Sequence, residues 1–235
     1  MKMPKIRWRK IISIVVCLVL IYSYYQSTVN EKAPVPDIPE VSGEGGFEYR
    51  EVPEFDGVNA YAIVNDNQPY FVDLSGVKTA YEEYGRLDNL NRCTTAVANI
   101  GKELMPTEER GSIGSVKPTG WQVSKYDFVD GKYLYNRCHL IGWQLTGENA
   151  NEQNLITGTR FMNVDGMLPF ENMVADYIKE TGNHVLYRVT PIFEGENHVA
   201  SGVQIEAESV EDNGKGICFN VYVYNVQPGV TIDYS

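Results

Sequence analysis

The stretch that decides the fold of this chain runs Tyr135-Asn136-Arg137-Cys138-His139-Leu140-Ile141-Gly142. It belongs to a longer segment, Lys132 to Ile141, whose composition predicts a β-strand. Side chains alternate between the two faces of a strand, so the odd-numbered positions share one face and the even-numbered positions the other. Arg137 and His139 are therefore expected to point the same way, with Asn136 and Cys138 pointing away from them.

Two helices are predicted after this strand. The segment from Asn149 to Met162 lacks strand alternation and has Asn or Glu near its start, which predicts the first helix. Gly166 and Pro169 then interrupt the chain, and Pro169 suits the first turn of a second helix that runs to about Glu180 and ends at Gly182. Glu171 lies in the first turn of this helix, where the helix dipole favours a carboxylate.

The remaining segments predict an antiparallel sheet. Val58 to Val64 and Pro69 to Val72 flank a polar tetrapeptide and predict a β-hairpin. Further strands are expected at Thr95 to Ile100, His184 to Phe193, Gly202 to Val210 and Ile217 to Val226. Residues 106–120 are polar and rich in Gly and Pro, which predicts a long loop of the kind that is often functional. The fold class is therefore α+β with a mainly antiparallel sheet.

The N-terminal residues predict export from the cytoplasm. Residues 1–10 contain five basic side chains, and the uncharged run Ile11 to Tyr25 follows them. Because no small-x-small cleavage pattern follows and tyrosines end the run, we favour an uncleaved membrane anchor over a cleaved secretory signal. Residues 26–46, with three prolines and three glycines, predict a linker to a domain over 47–235. The positive charges place this domain outside the cell, as a single-pass membrane protein or, after cleavage, a secreted one.

The charge of the exported part limits its function. The whole chain carries a formal charge of −11, but five of its 20 basic residues precede the apolar run and all 31 acidic residues follow it. The part beyond the run therefore has a charge of about −16, which argues against a general nucleic-acid coat. Phosphate could bind only in a local basic cleft.

Three cysteines, Cys93, Cys138 and Cys218, follow the apolar run. The odd number allows one disulfide with a free thiol, or three thiols, and the sequence does not choose between them. Their spacing contains no C-x-x-C or Cys/His pattern of the kind that binds structural zinc.

The segment from 135 to 171 contains the chemical groups that phosphodiester hydrolysis requires. His139 is a candidate base because a neutral imidazole titrates near neutral pH. Arg137 offers a forked donor for phosphate oxygens, and Asn163 and Glu171 offer the hard oxygen atoms that Mg²⁺ prefers. Taken singly, each residue has an ordinary structural explanation, such as a cap or a helix-dipole partner. Their order and spacing strengthen the case.

These residues resemble the DNA/RNA non-specific endonuclease family of ββα-metal, or His-Me finger, nucleases. In that family a strand ends in Asp-Arg-Gly-His, an Asn lies on a following helix nine residues before the metal-binding Asn, and a Glu follows eight residues after it. Here Asn154 and Asn163 are nine residues apart, and Asn163 and Glu171 are eight apart. The resemblance is specific over about 130 to 180.

The resemblance implies a role for each residue. His139 would be the general base, and Asn163 the sole protein ligand of one Mg²⁺, with Mn²⁺ as the alternative ion. Glu171 would hold a water of the ion's coordination shell, Asn154 would orient the site, and Arg137 would bind the phosphate. The substrates would be DNA and RNA, cut without sequence preference to 5′-phosphate products.

The signature departs from the family at Asn136, where Asp is expected, and at Cys138, where Gly is expected. Loss of the Asp charge could lower activity, and oxidation of Cys138 could switch it off. Two other interpretations stay open: a DNA-binding surface protein of the same fold that has lost turnover, and an acidic interaction domain unrelated to nucleic acid.

Residues outside the signature are also candidates for the cleft. Arg110 and Lys117, in the 106–120 loop, are candidates for a second phosphate contact. Lys125, Trp143 and Gln144 are candidate neighbours without an assigned role, and His184 and His198 are expected to be structural. No protein partner can be inferred.

Overall fold

The computed structural model describes residues 40–41, 52–71, 74 and 79–235. The predicted basic segment 1–10, the apolar run 11–25 and all of the predicted linker except Glu40–Val41 lie outside these residues. None of the helices in the described part of the chain combines the length and apolar composition that crossing a bilayer requires.

The larger sheet carries most of the fold. In chain order the described strands are β1 Glu40–Val41, β2 Tyr61–Val64, β3 Tyr81–Tyr84, β4 Ala96–Ile100, β7 Val185–Ile192, β8 Gly202–Ser209 and β9 Cys218–Tyr224. Their order across the sheet is β1-β2-β9-β8-β7-β4-β3, and every pair is antiparallel except β1 with β2. The α+β class and the predicted strands at 95–100, 184–193, 202–210 and 217–226 are confirmed. Sequence analysis missed β3.

A separate two-stranded sheet contains the segment Tyr135–His139. Its strands are β5 Tyr135–His139 and β6 Leu155–Thr159, which pair antiparallel with His139 opposite Leu155 and Tyr135 opposite Thr159. The short helix α1, Trp143–Thr146, and a 3-10 turn, Glu152–Asn154, lie between them. A helical segment follows β6 directly, which completes a strand-strand-helix unit.

The predicted helix from Asn149 to Met162 was wrong. Its second half is strand β6, in which all five residues are buried. A strand that is buried on both faces shows no alternation of polar and apolar residues, so its sequence cannot be distinguished from a buried helix by periodicity. Asn154 therefore ends a 3-10 turn and does not lie on a helix.

The second predicted helix is confirmed as α2, Leu168–Thr181, with Pro169 in its first turn and Gly182 closing it at φ +77°. The expected break at Gly166 is absent, because the wider turns of a π-helix, Met162–Met167, run directly into α2. A side chain at Gly166 would overlap Val223 of the large sheet, so this glycine allows the π-helix to approach the sheet closely. Such π-turns often occur at functional sites.

The predicted hairpin over 58–72 was also wrong. After β2 the chain turns through Asn65, Asp66 and Asn67, all with φ between 50° and 62°. The described residues from Pro69 to Phe71 form no strand, and β9 supplies the antiparallel hydrogen bonds of β2. The local sequence gave no sign of this partner, which is more than 150 residues away. The loop over 106–120 is confirmed, since it contains no helix or strand.

The three cysteines are unpaired, with Cys93 and Cys138 buried. Burial raises the pKa of Cys93 to about 12 and raises the pKa of Cys138 further still, so both keep their protons at neutral pH. Cys138 packs inside the main apolar core, on the face that strand alternation predicted. A buried, protonated thiol is a poor target for oxidants, so the structure gives no support to a redox switch at Cys138.

The bulk of Cys138 is accommodated by Gly158 on the facing strand. These positions pack together across β5 and β6, and a Cβ added to Gly158 would meet the Cys138 Sγ. We predict that Gly158→Ala lowers the free energy of unfolding by about 1–3 kcal/mol through overpacking. Adding Cys138→Ala should recover part of this loss, as measured by urea denaturation. Gly114→Ala is the control, since its new Cβ makes only ordinary contacts. Simple additivity of the two core substitutions would contradict the packing argument.

Candidate active site

His139, the last residue of β5, is held between a carbonyl and an arginine. Its Nε2 lies 2.7 Å from the Asn149 carbonyl oxygen, and its Nδ1 lies 3.3 Å from Nη2 of Arg110. A carbonyl can only accept a hydrogen bond and a guanidinium can only donate one, so Nε2 carries the proton and Nδ1 presents its lone pair. This tautomer leaves Nδ1 as the nitrogen that can take up a proton.

The environment keeps this imidazole neutral. His139 is only 6% exposed, and its burial, together with the nearby charge of Arg110, lowers its pKa to about 4 against the opposing hydrogen bond to Asn149. At neutral pH the ring is therefore unprotonated at Nδ1, as a general base must be.

His139 shares a cavity of about 390 Å³ with most of the predicted site residues. Its lining includes Arg110, Arg137, His139, Arg160, Asn163 and Glu171. We call this the central cavity. The structure thus brings together the candidate base, the candidate metal ligand and the candidate carboxylate, which come from β5, the π-helix and α2.

Asn163 and Glu171 offer oxygen donors inside the central cavity. The Asn163 side chain has no hydrogen-bond partner among the described residues, so its oxygen is available to a ligand. Glu171 lines the same cavity, where Gly142 leaves room for it because a Cβ at that position would collide with the carboxylate. Enclosure of Glu171 by protein atoms raises its pKa to about 7, and this effect is partly offset by a hydrogen bond from Gln144 and by the charge of Arg110.

This donor set fits a hard divalent cation that keeps most of its waters. Within the described residues no cluster of three or more His, Cys, Asp or Glu side chains could hold a metal ion. An ion in the central cavity would therefore take one amide oxygen from Asn163, and the Glu171 carboxylate in the same cavity would be available to hold water. Mg²⁺ is commonly bound in this way, with one or two protein oxygens and several waters.

Three arginines make the central cavity locally basic, although the chain as a whole is acidic. Arg160 was missed by sequence analysis, although it directly follows β6 and precedes Asn163 by one helical turn. Its guanidinium pairs with Asp130 at 2.6 Å, which fixes it at the rim. Because the chain is acidic overall, phosphate was expected to bind only in a local basic cleft. These three arginines form such a cleft.

Arg137 anchors the loop that carries Arg110. Its guanidinium donates to the carbonyl oxygens of Val116 and Gly114 and stacks 3.9 Å from the ring centre of Trp121. Two of its nitrogens, Nε and Nη2, therefore donate to carbonyl oxygens of the 106–120 loop. As strand alternation predicted, Arg137 and His139 reach the same cavity.

Asn154 supports the site through hydrogen bonds to the backbone of Ile141. It is fully buried, and its side chain both accepts a hydrogen bond from the Ile141 backbone nitrogen at 2.9 Å and donates to the Ile141 carbonyl at 3.0 Å. It thereby ties the chain just after His139 to the turn before β6.

Lys117 is not brought to the site. It lines a different pocket, beside Cys93 and Glu152, so of the two candidates in the loop the structure favours Arg110 for contact with a phosphate in the central cavity. Trp143 and Gln144 do line the central cavity, whereas Lys125 lies over the ring of Tyr133 instead. Asn136 departs from the alternation argument, since it lines a neighbouring groove together with Arg137. Its Nδ2 is buried without a hydrogen-bond partner among the described residues.

Comparison with known proteins gives consistent matches. Residues 75–211 match the family model described as DNA/RNA non-specific endonuclease. Among solved structures, NucA from Streptococcus agalactiae with magnesium bound is 28% identical, with a TM-score of 0.66 over 75% of this chain and 84% of that one. Its metal-free structure is 27% identical with the same TM-score, over 79% of this chain and 88% of that one. The Sda1 nuclease with bound zinc is 25% identical with a TM-score of 0.61, over 75% and 94%.

The environment of His139 predicts a measurable titration. The chain has three histidines, so side-chain NMR can follow each ring. We expect His139 to titrate at about pH 4. His184 should titrate above 6.5, because its hydrogen bonds to Glu211 and Glu103 outweigh partial burial and raise its pKa. Arg110→Ala should move the pKa of His139 upward, since it removes a positive charge and admits water. A wild-type His139 that titrates at 6.5 would contradict this account.

Proposed function

Because the chain belongs to the DNA/RNA non-specific endonuclease family and is thereby a hydrolase, we propose that it cleaves phosphodiester bonds of DNA and RNA in the central cavity. The observation that carries this proposal is the arrangement around His139. A buried imidazole whose Nδ1 lone pair is contacted only by the Arg110 guanidinium faces a cavity that also contains an unpartnered Asn163 oxygen and three arginines.

His139 acts as the general base in this proposal. Its Nδ1 removes a proton from the attacking water, and the ring becomes an imidazolium. The Nε2 hydrogen bond to the Asn149 carbonyl fixes the tautomer before the reaction and stabilises the charge that develops during it. Because burial disfavours that charge, the imidazolium releases its proton to solvent water after cleavage, and the leaving oxygen takes up a proton from solvent water.

Arg110 has to exchange partners when a substrate binds. In the free protein its guanidinium lies on the Nδ1 that the water needs. A phosphate oxygen is a stronger acceptor than a neutral imidazole, because the hydrogen bond is then assisted by two opposite charges. Arg110 therefore turns to the phosphate, and the lone pair of His139 becomes accessible to water. Arg137 and Arg160 add to the positive potential that holds the phosphate.

Asn163 holds the Mg²⁺ ion in this proposal, with Mn²⁺ as the alternative, and Glu171 orients water beside it. When bound, the ion neutralises charge on the phosphate and on the leaving oxygen. Products with 5′-phosphate ends would follow if the leaving group is the 3′ oxygen. The arginines of the central cavity bind phosphates rather than base edges in this proposal, which favours cleavage without sequence preference.

We also propose that the domain acts outside the cell. The five basic residues before the run Ile11 to Tyr25 support an orientation with the N-terminus in the cytoplasm. Anchoring to the membrane is favoured over release by signal cleavage, because no cleavage pattern follows the run.

A direct assay tests the proposed chemistry. The full chain, kept soluble with mild detergent, is incubated with plasmid DNA and with RNA, in Mg²⁺ or in chelator. We expect cleavage of both with Mg²⁺, none with chelator, and a loss of about 10²- to 10⁴-fold in kcat for His139→Ala. Asn163→Ala should also raise the Mg²⁺ concentration needed for half-maximal rate.

Other outcomes would support other interpretations. A mobility shift without cutting by the wild-type protein would favour the binding protein that has lost turnover. Neither binding nor cutting would favour an interaction domain unrelated to nucleic acid.

Arg110 and Lys117 provide a matched pair in the same loop. Arg110→Ala removes a charged contact to the phosphate, so we expect kcat/KM to fall about ten- to hundredfold. Lys117→Ala removes the same charge outside the central cavity and should stay within about twofold. Initial rates on a fluorescent oligonucleotide at fixed ionic strength measure both. Equal losses in the two variants would show that only the overall charge matters.

A further inference from the structure

A second groove opens beside the central cavity. It has a volume of about 510 Å³ and shares Arg110, Arg137, Arg160 and Asn163 with the central cavity. Its other lining includes the aromatic residues Trp121, Tyr133 and Tyr135, together with Gln122. We call this the aromatic groove. The two cavities adjoin through these shared residues, so a strand whose phosphate lies in the central cavity has room to continue into the aromatic groove.

We propose that the aromatic groove is a nucleobase subsite, in which a base near the cleaved phosphate leaves its stack and lies against Tyr133. The proposal rests on the proposed nuclease function and adds which form of nucleic acid is the better substrate. Single-stranded or locally unpaired nucleic acid binds better than intact duplex.

Tyr133 is suited to stacking because it is exposed and held in place. The residue is 49% exposed, so part of its ring is accessible to a base in the aromatic groove. Its backbone forms a β-bridge with Lys125, and the neighbouring Leu134 nitrogen donates to the Ser124 carbonyl at 2.9 Å. The ring therefore needs little ordering when a base arrives, which lowers the entropic cost of binding.

The charges around the groove match a nucleotide better than an apolar ligand. Lys125 Nζ lies 4.5 Å from the centre of the Tyr133 ring, and Arg137 lies over Trp121 at the boundary with the central cavity. Lys125 covers one face of the Tyr133 ring and leaves the other face for a base, and the arginines shared with the central cavity supply positive charge for the phosphates next to that base. Alternating aromatic and cationic side chains are the usual means of binding single strands.

The geometry implies a preference between substrate forms. A base in a duplex is already stacked on both faces and paired at its edge, so placing it on Tyr133 costs the energy of unstacking and unpairing. For a base in a single strand, the energy needed to unstack and unpair it is much smaller. The acidic surface outside the two cavities gives little compensating attraction to a long duplex.

The test compares three variants of the full chain on a single-stranded oligonucleotide and on a hairpin duplex. Tyr133→Leu should raise KM for the single strand about tenfold, with kcat within about twofold, and should change KM for the duplex much less. Tyr133→Phe keeps the ring and should restore the wild-type KM. Tyr126→Leu is the matched control, because this exposed tyrosine packs on Phe128 outside the groove.

Abasic substitution locates the contact. Each position around the cleaved bond is replaced in turn by an abasic nucleotide. We expect one position at which the wild-type KM rises about tenfold while that of Tyr133→Leu does not rise further. Purely additive effects at every position, or a Tyr133→Phe variant as impaired as Tyr133→Leu, would overturn the proposal.

The nuclease function and the subsite can fail separately. If the wild-type protein cleaves both substrates and Tyr133→Leu leaves the KM for the single strand unchanged, the subsite is wrong and the nuclease function stands. If no substrate is cleaved, binding of the single strand is measured by fluorescence anisotropy in chelator. A tenfold weakening by Tyr133→Leu alone would then support the subsite while the proposed hydrolysis fails. Equal affinity of all variants would overturn the subsite.

Discussion

The antiparallel pairing of β5 with β6 is the constraint on which the site depends. It places His139 opposite Leu155, and Asn154, the residue before Leu155, closes the pair through two hydrogen bonds to Ile141. The intervening chain must therefore fold back, and this brings the Asn149 carbonyl to Nε2 of His139. The tautomer of the candidate base thus follows from the register of two short strands.

The same pairing sets the position of the oxygen donors. β6 runs directly into the π-helix and α2, so Asn163 and Glu171 are placed by the strand that pairs with the histidine strand. Gly142 leaves room for the Glu171 carboxylate of α2. Gly166 lets the helical segment lie close to the large sheet. Packing of the helix on the sheet is thereby linked to the geometry of the cavity.

Electrostatics in this protein is local. The chain is strongly acidic, yet three arginines converge on the two adjoining cavities. Such an arrangement gives little long-range attraction to nucleic acid but a strong short-range hold on a phosphate that has already arrived. Arg137 donates to carbonyl oxygens of the loop over 106–120 and thereby helps to hold the loop that carries Arg110.

The sequence alone determined the α+β class, helix α2, strand β5 and four strands of the large sheet, because these depend on local periodicity. The spacing of His139, Asn163 and Glu171 indicated three of the residues that line the central cavity. The sequence did not predict β6, the partner of β2, or the contributions of Arg160 and Gly142. A strand that is buried on both faces has no readable alternation, and the partner of β2 lies far along the chain. Likewise, which nitrogen of His139 carries the proton depends on the groups that contact its two nitrogens, and only the tertiary structure brings Asn149 and Arg110 there.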